Sequence, residues 1–430
     1  MIQKGREGAQ NVLARLRARN EADTRQVECT VQEVLAHVKS EGDAALCRYA
    51  LQFERTDYRK TPLRVPEQEI DAAYGACSQA QIQALRLAAG NIRRYHEQQL
   101  EEGYTLQQEG ATLMQIVRPL ACVGIYAPGG TASYPSSVLM NAVPAKVAGV
   151  KRVCLATPAQ NGIIAPLTLV AAREAGVDEI YRMGGAQAVA AFAYGTQSVP
   201  RVDKITGPGN LYVTLAKKEV FGTVGIDAIA GPSEVLILAD GSADPAYVAA
   251  DMLAQAEHDV AAAALCVTTS IALAQQVEAE VQAQRETALR REIIQSSLSQ
   301  YGAIVVLDCV QDCLDFANEV APEHLEILMQ DAWEVLKGVQ NAGGVFVGPY
   351  APESLGDYLA GTNHVLPTAG TARFASPLGV YDFIKRMSVL SYEKDALQQV
   401  VRQVDTLAMA EGLQAHGRSA TIRFERGNDR

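Results

Sequence analysis

Short apolar segments alternate with helical segments through most of the chain, and this pattern constrains the fold more than any other feature. In the first run, the alternation predicts strands at residues 122–126, 152–157, 179–183 and 201–206. Helices are expected between them, at residues 136–149, 163–175 and 186–194. Strands that alternate with helices of this length predict a parallel sheet with helices on its faces.

The alternation then runs a second time. Strands are expected at residues 235–239, 263–268, 303–307, 325–329 and 344–347, again with helices between them. Two such runs predict an α/β protein in which two Rossmann-like parallel-sheet domains face a cleft, with ligands at the carboxyl ends of the strands. The first 110 residues have the spacing of helices, and the last 55 form a polar helical arm with too few apolar residues to fold without a partner surface.

Charge, hydropathy and cysteine content exclude several classes of protein. The formal net charge is −11, and no block of Lys and Arg is long enough to bind a phosphate backbone, so no nucleic-acid partner is expected. The N-terminus lacks the apolar core of a secretory signal, and the longest nearly apolar stretch, residues 162–172, is too short to span a bilayer. Eight cysteines are too few for a disulfide scaffold. We therefore expect a cytoplasmic protein with no membrane partner.

Three glycine-rich turns follow predicted strands of the first run, at residues 127–130, 184–187 and 207–212. The last of them lacks the third glycine of G-x-G-x-x-G, but its context suits an anion near a helix N-terminus. Each turn alone also has a steric explanation, because a strand-to-helix turn often requires glycine. Together they form a rim of dinucleotide size. The chain has no Walker A lysine and no G-x-S-x-G elbow, which argues against the commonest phosphate-binding and hydrolase motifs.

Four of the six histidines lie in polar clusters near turns, at His258, His324, His364 and His416. Gln255 precedes His258 by three residues, so both side chains reach one point from a helix. With Asp357 and His416 they can complete an oxygen and nitrogen site that suits Zn²⁺ or another borderline divalent cation. The alternative is a set of scattered surface histidines. Cys309 and Cys313 share a helical face, a weaker metal candidate.

A carboxylate and an imidazole stand next to each other at Glu323 and His324, directly after Pro322 at the start of a predicted strand. Two such groups can act as paired general bases near neutral pH. An exposed turn with two polar residues is the alternative, and the spacing alone does not decide between them.

Taken together, these segments resemble the histidinol dehydrogenase family. The matching stretches are GIYAPGGTASYPSSVLMN, GGAQAVAA, TGPGN, AGPSE, QAEHD, APEHLEI, LGDYLAGTNHVLPT and EGLQAHGRSA. They run in order from residue 124 to residue 420 and include several unusual combinations.

The resemblance implies a role for individual residues of this chain. It implies one zinc ion per subunit, bound by Gln255, His258, Asp357 and His416. It implies that Glu323 and His324 are the catalytic pair. Substrate contacts are implied at Ser233, Gln255, His258, His324, Asp357, Glu411 and His416, with His364 nearby. Contacts to the NAD cofactor are implied at Tyr126, Gln187 and Asn210.

The resemblance also implies a domain plan and an assembly. Residues 1–118 would pack with residues 230–376 as one larger α/β domain, and residues 119–229 would form the nucleotide-binding domain. Residues 377–430 would form an arm that crosses to the partner of a homodimer and donates Glu411 and His416 to the other subunit's site. This agrees with the separate expectation that the arm needs a partner surface.

The implied reaction is the oxidation of L-histidinol to L-histidine through L-histidinaldehyde, with two NAD⁺ reduced. None of the eight cysteines is expected to be catalytic. One alternative is a dehydrogenase on the same scaffold that oxidises another small alcohol, sulfonated or polyol. Another is a metal-dependent hydrolase in which Glu323 activates water, although the glycine-rich strand ends argue against it. A binding module without catalysis would explain neither the base pair nor the ligand cluster.

Overall fold

The computed structural model describes residues 1–20, 24–129 and 133–425. Its contacts divide the chain into two compact units. The first unit comprises Met1–Gln99 and Leu120–Phe383, and the second comprises Leu100–Pro119 and Ile384–Arg430.

The strands of the described residues, in chain order, are β1 (Ile2–Lys4), β2 (Tyr104–Gln108), β3 (Ala111–Pro119), β4 (Cys122–Tyr126), β5 (Arg152–Thr157), β6 (Glu179–Arg182), β7 (Lys204–Thr206), β8 (Gly225–Ile226), β9 (Glu234–Ala239), β10 (Ala263–Thr268), β11 (Ala303–Val306), β12 (His324–Leu328), β13 (Gly344–Val347) and β14 (Ile384–Tyr392).

The α-helices are α1 (Gly5–Asn20), α2 (Arg25–Glu41), α3 (Asp43–Glu54), α4 (Glu67–Gly75), α5 (Gln79–Glu97), α6 (Pro135–Val147), α7 (Pro166–Ala175), α8 (Gly185–Tyr194), α9 (Leu211–Val220), α10 (Pro245–Ala256), α11 (Ile271–Arg285), α12 (Arg291–Tyr301), α13 (Val310–Val320), α14 (Ala332–Leu336), α15 (Glu353–Tyr358), α16 (Lys394–Ala410) and α17 (Gln414–Glu425). Short 3₁₀ helices span Thr371–Arg373 and Val380–Asp382.

Two parallel sheets form the first unit, as the twofold strand–helix alternation predicted. The larger sheet has six strands in the order β1-β11-β10-β9-β12-β13, and the smaller has five in the order β6-β5-β4-β7-β8. All described strand pairs in both sheets are parallel. Inner strands such as β9 and β10 are mostly apolar and buried on both faces, which is the usual environment of a parallel sheet.

Apolar helix faces cover both sides of the six-stranded sheet. Residues of α1, α13 and α14 pack on one side of it, around Leu236 and Leu265. Residues of α10, α11 and α12 pack on the other side, around Val235 and Cys266. Helix α10 begins where Asp244 accepts a hydrogen bond from the N–H of Ala246, with a proline at its first position. The helix then runs back toward the amino ends of the strands.

The N-terminal helices are shared between the two sheets. Helix α1 packs on the six-stranded sheet, whereas α2 and α3 pack with α8 and α9 beside the five-stranded sheet. The buried guanidinium of Arg182 also joins these parts, because it donates to the carbonyl oxygens of Pro62 and Gly162 and pairs with Glu69. The domain borders expected from the sequence stay a prediction.

The second unit contains strands that the sequence analysis did not expect. Strand β14 pairs antiparallel with β3, from Ile384 opposite Pro119 to Tyr392 opposite Ala111, and β2 pairs with the other edge of β3. The expectation of a purely helical arm is therefore wrong for Ile384–Tyr392. This strand is held by backbone pairing with a distant segment and buries little, so it leaves no strong apolar pattern in the sequence. The expectation of helices through residue 110 is wrong for β1 and β2.

Each strand expected in the two runs is present, with its ends shifted by at most three residues. Within the part of the chain that the structure describes, no helix is both long and apolar enough to cross a membrane. Residues 426–430 at the end of the expected arm lie outside the described residues.

Candidate active site

The Glu323–His324 pair lies at the edge of the six-stranded sheet where neighbouring strands begin. Strand β12 begins at His324, and its parallel neighbour β9 begins at Glu234, with His324 opposite Val235 in the register. Because parallel strands begin at one edge of a sheet, the pair is at the amino ends of these strands. The sequence predicted the pair at the start of a strand, and the structure confirms that position. The last turn of α10 brings Gln255 to the same edge.

The backbone of Glu234 holds both members of the pair. Nδ1 of His324 lies 3.1 Å from the carbonyl oxygen of Glu234, and the N–H of Glu234 donates to Oε2 of Glu323 at 3.0 Å. The two side chains lie 3.8 Å apart, between Nδ1 of His324 and Oε2 of Glu323. Because a carbonyl oxygen only accepts hydrogen bonds, the Glu234 contact assigns the proton to Nδ1 and the lone pair to Nε2.

Burial makes the His324 imidazole a neutral group. The residue is only 5% exposed, and burial lowers its pKa to about 3. Its Nε2 atom is buried and has no hydrogen-bond partner among the described residues. An unprotonated and unpartnered nitrogen is suited to accept a proton from a bound molecule. Oδ1 of Asp357 lies 3.9 Å from this nitrogen.

Glu323 is a second group that can accept a proton. Burial is the main cause that raises its pKa well above the usual range, and the negative charges of Glu234 and Asp357 raise it further. The N–H of Glu234 and the hydroxyl of Ser233 bond to the carboxylate and oppose this rise. A carboxylate with a raised pKa is a stronger base than an exposed one, so it is suited to activate water.

Three side chains converge beside this pair in a way that suits a metal ion. One ligand atom each from His258, Glu353 and Asp357 lies within 4.8 Å of the others. Burial raises the pKa of Glu353 well above its usual range and that of Asp357 to about 6. Oε2 of Glu353 is buried and has no hydrogen-bond partner among the described residues. An imidazole with two carboxylates suits Zn²⁺ or a similar divalent cation, whose charge would offset this crowding of acids.

Gln255 lies beside the three converging side chains. Its buried amide fits between Oε1 of Glu353, at 2.7 Å, and the N–H of Glu234, at 2.6 Å. These partners assign the amide orientation, because the nitrogen must donate to the carboxylate and the oxygen must accept from the N–H. Gln255 therefore links the candidate metal cluster to the backbone of Glu234, which also bonds to Glu323 and His324. Its predicted role as a metal ligand stays a prediction.

A cavity of about 610 Å³ opens at this edge of the sheet, and His324, Asp357 and His364 line it together with apolar residues such as Phe346 and Leu378. Nδ1 of His364 lies 3.0 Å from the carbonyl oxygen of Asp357. Burial lowers the pKa of His364 to about 4, so its imidazole is neutral. The cavity offers a small polar end and an apolar body, as binding sites for small molecules commonly do.

Residues expected to contact the cofactor lie at the carboxyl ends of the five-stranded sheet. Tyr126 ends β4, and its hydroxyl accepts a hydrogen bond from the N–H of Gly185 at 3.2 Å. Gln187, in the first turn of α8, donates to Oε1 of Glu54 at 3.4 Å. The same carboxylate accepts from the backbone N–H groups of Gly184 and Ala159, each at 2.8 Å. Glu54 thus joins the glycine-rich turn after β6 to the segment that follows β5.

The third glycine-rich turn leads into α9. Asn210 caps this helix by accepting a hydrogen bond from the N–H of Val213 at 3.2 Å. Gly207 has a φ of +114°, and a Cβ atom there would lie 2.0 Å from the carbonyl oxygen of Tyr126. Only glycine fits this approach of two neighbouring strand ends. Gly130 of the first glycine-rich turn lies outside the described residues.

Glu411 and His416 belong to the second unit, whereas all other expected site residues belong to the first. Glu411 follows the last turn of α16, and His416 lies in the first turn of α17. Both are exposed. Their expected contribution to zinc and substrate binding stays a prediction. Cys309 and Cys313, the weaker metal candidate, are free thiols, one exposed and one buried.

Two residues of these sites were not found by sequence reasoning. Glu353 precedes Asp357 by four residues on α15, so the spacing that places two side chains on one helix face was present as a signal. Glu54 is different, because it ends a helix more than a hundred residues before the turns it joins. Nothing local in the sequence marks such a contact.

Comparisons with known proteins agree with these observations. Residues 17–424 match the model of the protein family described as Histidinol dehydrogenase. The chain is 52% identical over 400 residues to histidinol dehydrogenase of Bacillus cereus, covering 93% of each chain. It is 52% identical over 401 residues to that of Moorella thermoacetica, covering 93% of this chain and 95% of the relative.

A solved structure is also similar. The crystal structure of histidinol dehydrogenase from Elizabethkingia anophelis superposes with a TM-score of 0.88 and 38% sequence identity. The match covers 94% of this chain and 93% of that one.

We expect the His258, Glu353 and Asp357 cluster to bind a divalent cation. Substituting Glu353→Gln should weaken Zn²⁺ binding by about 10-fold or more, because it removes a negative charge from the cluster and disturbs the Gln255 amide. Competition with a chromophoric chelator measures the affinity. Glu334→Gln, which changes an exposed acid of α14 paired with Lys337, is the matched control. Equal Zn²⁺ affinity in both variants would exclude Glu353 from the site.

Proposed function

The chain belongs to the histidinol dehydrogenase family of oxidoreductases, and we propose that it oxidises L-histidinol to L-histidine in histidine biosynthesis, with L-histidinaldehyde as the intermediate and NAD⁺ as the oxidant. The observation that carries the proposed chemistry is the buried Nε2 of His324. It has no partner among the described residues, and it lies beside Asp357 in a cavity of suitable size for a small alcohol.

In the first oxidation, Nε2 of His324 accepts the proton of the substrate hydroxyl while hydride leaves the adjacent carbon for the nicotinamide. The carbon loses two electrons and becomes an aldehyde, and NAD⁺ becomes NADH. Glu234 supports this step because its carbonyl oxygen fixes the imidazole tautomer and aims the lone pair at the cavity. No thiol takes part in the proposed step, and none of the described residues that line the cavity is a cysteine.

In the second oxidation, the Glu323 carboxylate takes a proton from water as the water oxygen attacks the aldehyde carbon. His324 returns the proton that it took in the first oxidation to the former carbonyl oxygen, which gives a hydrate and leaves the imidazole neutral again. His324 then removes a hydroxyl proton of the hydrate while a second hydride passes to another NAD⁺. The product is the carboxylic acid, and two NADH form per histidinol. The closeness of the two side chains, 3.8 Å between Oε2 of Glu323 and Nδ1 of His324, supports a site in which both bases serve one substrate.

Zinc fits the cluster beside the pair, and we assign His258, Asp357 and Gln255 to hold it, with Glu353 supporting the Gln255 amide. His416 completes this set in the assembled protein. When bound, the ion supplies a fixed positive centre that orients the imidazole and amino nitrogens of the substrate. Ser233, His364 and Glu411 complete the substrate contacts, with Glu411 as the charge partner of the amino group.

Tyr126, Gln187 and Asn210 are the proposed contacts of NAD. Tyr126 and Gln187 are held in place from behind, by Gly185 and by Glu54, and Asn210 stands at the N-terminus of α9. This arrangement supports dinucleotide binding, because the polar groups of these three residues are fixed before the ligand arrives. We further propose that the protein works in the cytoplasm as a homodimer in which Glu411 and His416 act in the other subunit's site.

The reaction itself is tested by its stoichiometry. We expect two NADH per L-histidinol from the zinc-loaded protein, no NADH after the metal is stripped by a chelator, and full recovery when zinc is returned. Absorbance of NADH at limiting histidinol measures the ratio. One NADH per histidinol would contradict oxidation beyond the aldehyde. No NADH from zinc-loaded protein that binds NAD⁺ would favour the alternative of another small alcohol.

The division of work between the two bases is tested by Glu323→Gln. We expect oxidation of added histidinaldehyde to slow by about 100-fold or more, the usual contribution of a general base. Formation of the first NADH from histidinol, followed in a single turnover, should slow far less. Glu319→Gln, an exposed acid paired with Arg17, is the control and should change neither step. Equal slowing of both steps would contradict water activation by Glu323.

A site shared between subunits is tested by mixing inactive variants. His324→Gln and His416→Asn, exchanged into hybrid dimers, should recover about one quarter of the wild-type activity, because half of the dimers are hybrids and each has one intact site. The control mixture of His324→Gln with Glu323→Gln should recover nothing, since every site of a hybrid dimer then carries one of the two changes. No recovery after verified subunit exchange would mean that each subunit completes its own site.

A further inference from the structure

A buried ion pair lies behind the Glu323–His324 pair, and we propose that Arg19 is a positioning residue that fixes both proposed bases through Glu234. The inference rests on the proposed function, since it concerns how that site is held. Arg19 is far from the pair in sequence, in the last turn of α1, and none of the stretches that resemble the family includes this helix.

Arg19 is an unusual arginine because almost none of its surface reaches water. Its side chain is 2% exposed, and that of its partner Glu234 is 4% exposed. Besides the ion pair with Glu234, the guanidinium donates to the carbonyl oxygen of Ala261 at 3.1 Å and stacks 5.5 Å from the ring centre of Tyr301. A charge buried to this degree is tolerated only with its partner in place, so the pair has one arrangement.

The other end of the chain of contacts is the backbone of Glu234. Its carbonyl oxygen accepts from Nδ1 of His324, and its N–H donates to Oε2 of Glu323 and lies 2.6 Å from the Gln255 amide. The backbone of this one residue therefore contacts three side chains of the proposed site. The Glu234 side chain leaves the same residue in the direction of α1, where Arg19 holds it.

The charges of Arg19 and Glu234 also link α1 to the start of β9. Burial raises the pKa of the Glu234 carboxyl, and Arg19 together with the backbone N–H groups of Ala369 and Glu323 opposes that rise. Without Arg19, Glu234 would be a buried carboxylate with no cation beside it. It would move toward water or take up a proton, and either response displaces the start of β9.

The test compares Arg19→Gln with Arg17→Gln in the zinc-loaded full-length protein. Arg17 lies in the same helix and pairs with Glu319 at the surface, so its substitution should leave the rate unchanged. Arg19→Gln should lower kcat for histidinol by about 10- to 100-fold, the range for groups that orient a functional side chain from behind. KM should change by less than about 3-fold, because Arg19 does not touch the substrate.

Arg19→Lys keeps the charge but loses the forked geometry, and it covers the case in which the glutamine variant does not fold. It should lower kcat less than Arg19→Gln does and should retain the wild-type zinc content. A purely structural role would instead reduce zinc content and kcat in the same proportion, since each would follow the folded fraction.

A second measurement reads the imidazole without any reaction. Long-range ¹H–¹⁵N spectra of protein labelled at histidine report which ring nitrogen is protonated, and the His324 signals are assigned by their loss in His324→Gln. The wild type should show the Nδ1–H form alone. In both Arg19 variants a second tautomer should appear, because the contact to the Glu234 carbonyl is loosened, whereas Arg17→Gln should match the wild type.

An unchanged His324 tautomer, or a kcat for both Arg19 variants equal to that of Arg17→Gln, would overturn the positioning role. The failure of the proposed function is a different result. In that case the wild type forms no NADH from histidinol, and the His324 spectra alone then decide whether Arg19 fixes the imidazole.

Discussion

The backbone of Glu234 holds both members of the Glu323–His324 pair, because its N–H and its carbonyl oxygen each bond to one of them. Glu234 is the first residue of β9, an inner strand of the six-stranded sheet. The backbone of such a strand is rigid, and side chains that bond to it lose little order when a ligand binds or leaves. The sheet therefore fixes the orientation of the two side chains, while the surrounding loops form the cavity walls.

The expected site residues lie at opposite ends of the strands in the two sheets of the first unit. The five-stranded sheet presents the carboxyl ends of its strands, with Tyr126 and the glycine-rich turns, as open α/β sheets usually do. The six-stranded sheet instead presents its amino ends, with Glu323, His324 and the end of α10. Carboxyl ends followed by helix N-termini favour an anionic dinucleotide. Amino ends face helix C-termini, where partial negative charge favours a cation, which suits the acidic metal cluster.

What the sequence predicted, and what it did not, follows from how local each signal is. The strands of the parallel sheets are short apolar runs between helices, so each was visible from its own residues. Strand β14 depends on pairing with β3, about 270 residues earlier, and most of its side chains stay exposed. The Glu323–His324 pair was found because its members are adjacent. Glu54 and Arg19 act across the fold, and neither has a neighbour in sequence that reveals its partner.

Three acids lie close together in and beside the metal cluster, and packing alone does not compensate their negative charge. Glu323 and Glu353 are buried near the half-buried Asp357, and repulsion among these acids is part of what raises the pKa of Glu323 and Glu353. Such a group is stable in a folded chain only if protons, a cation or donor groups compensate it. Arg19 compensates the buried carboxylate of Glu234, so a cation bound in the proposed metal cluster would be left to compensate Asp357 and Glu353.

A similar arrangement occurs at the five-stranded sheet, where the buried Lys217–Asp227 pair bonds to the backbone of Gly207 in the third glycine-rich turn. In both places a buried ion pair fixes a backbone segment beside a proposed ligand site. The groups that hold each proposed site are therefore distinct from the groups proposed to carry out its chemistry.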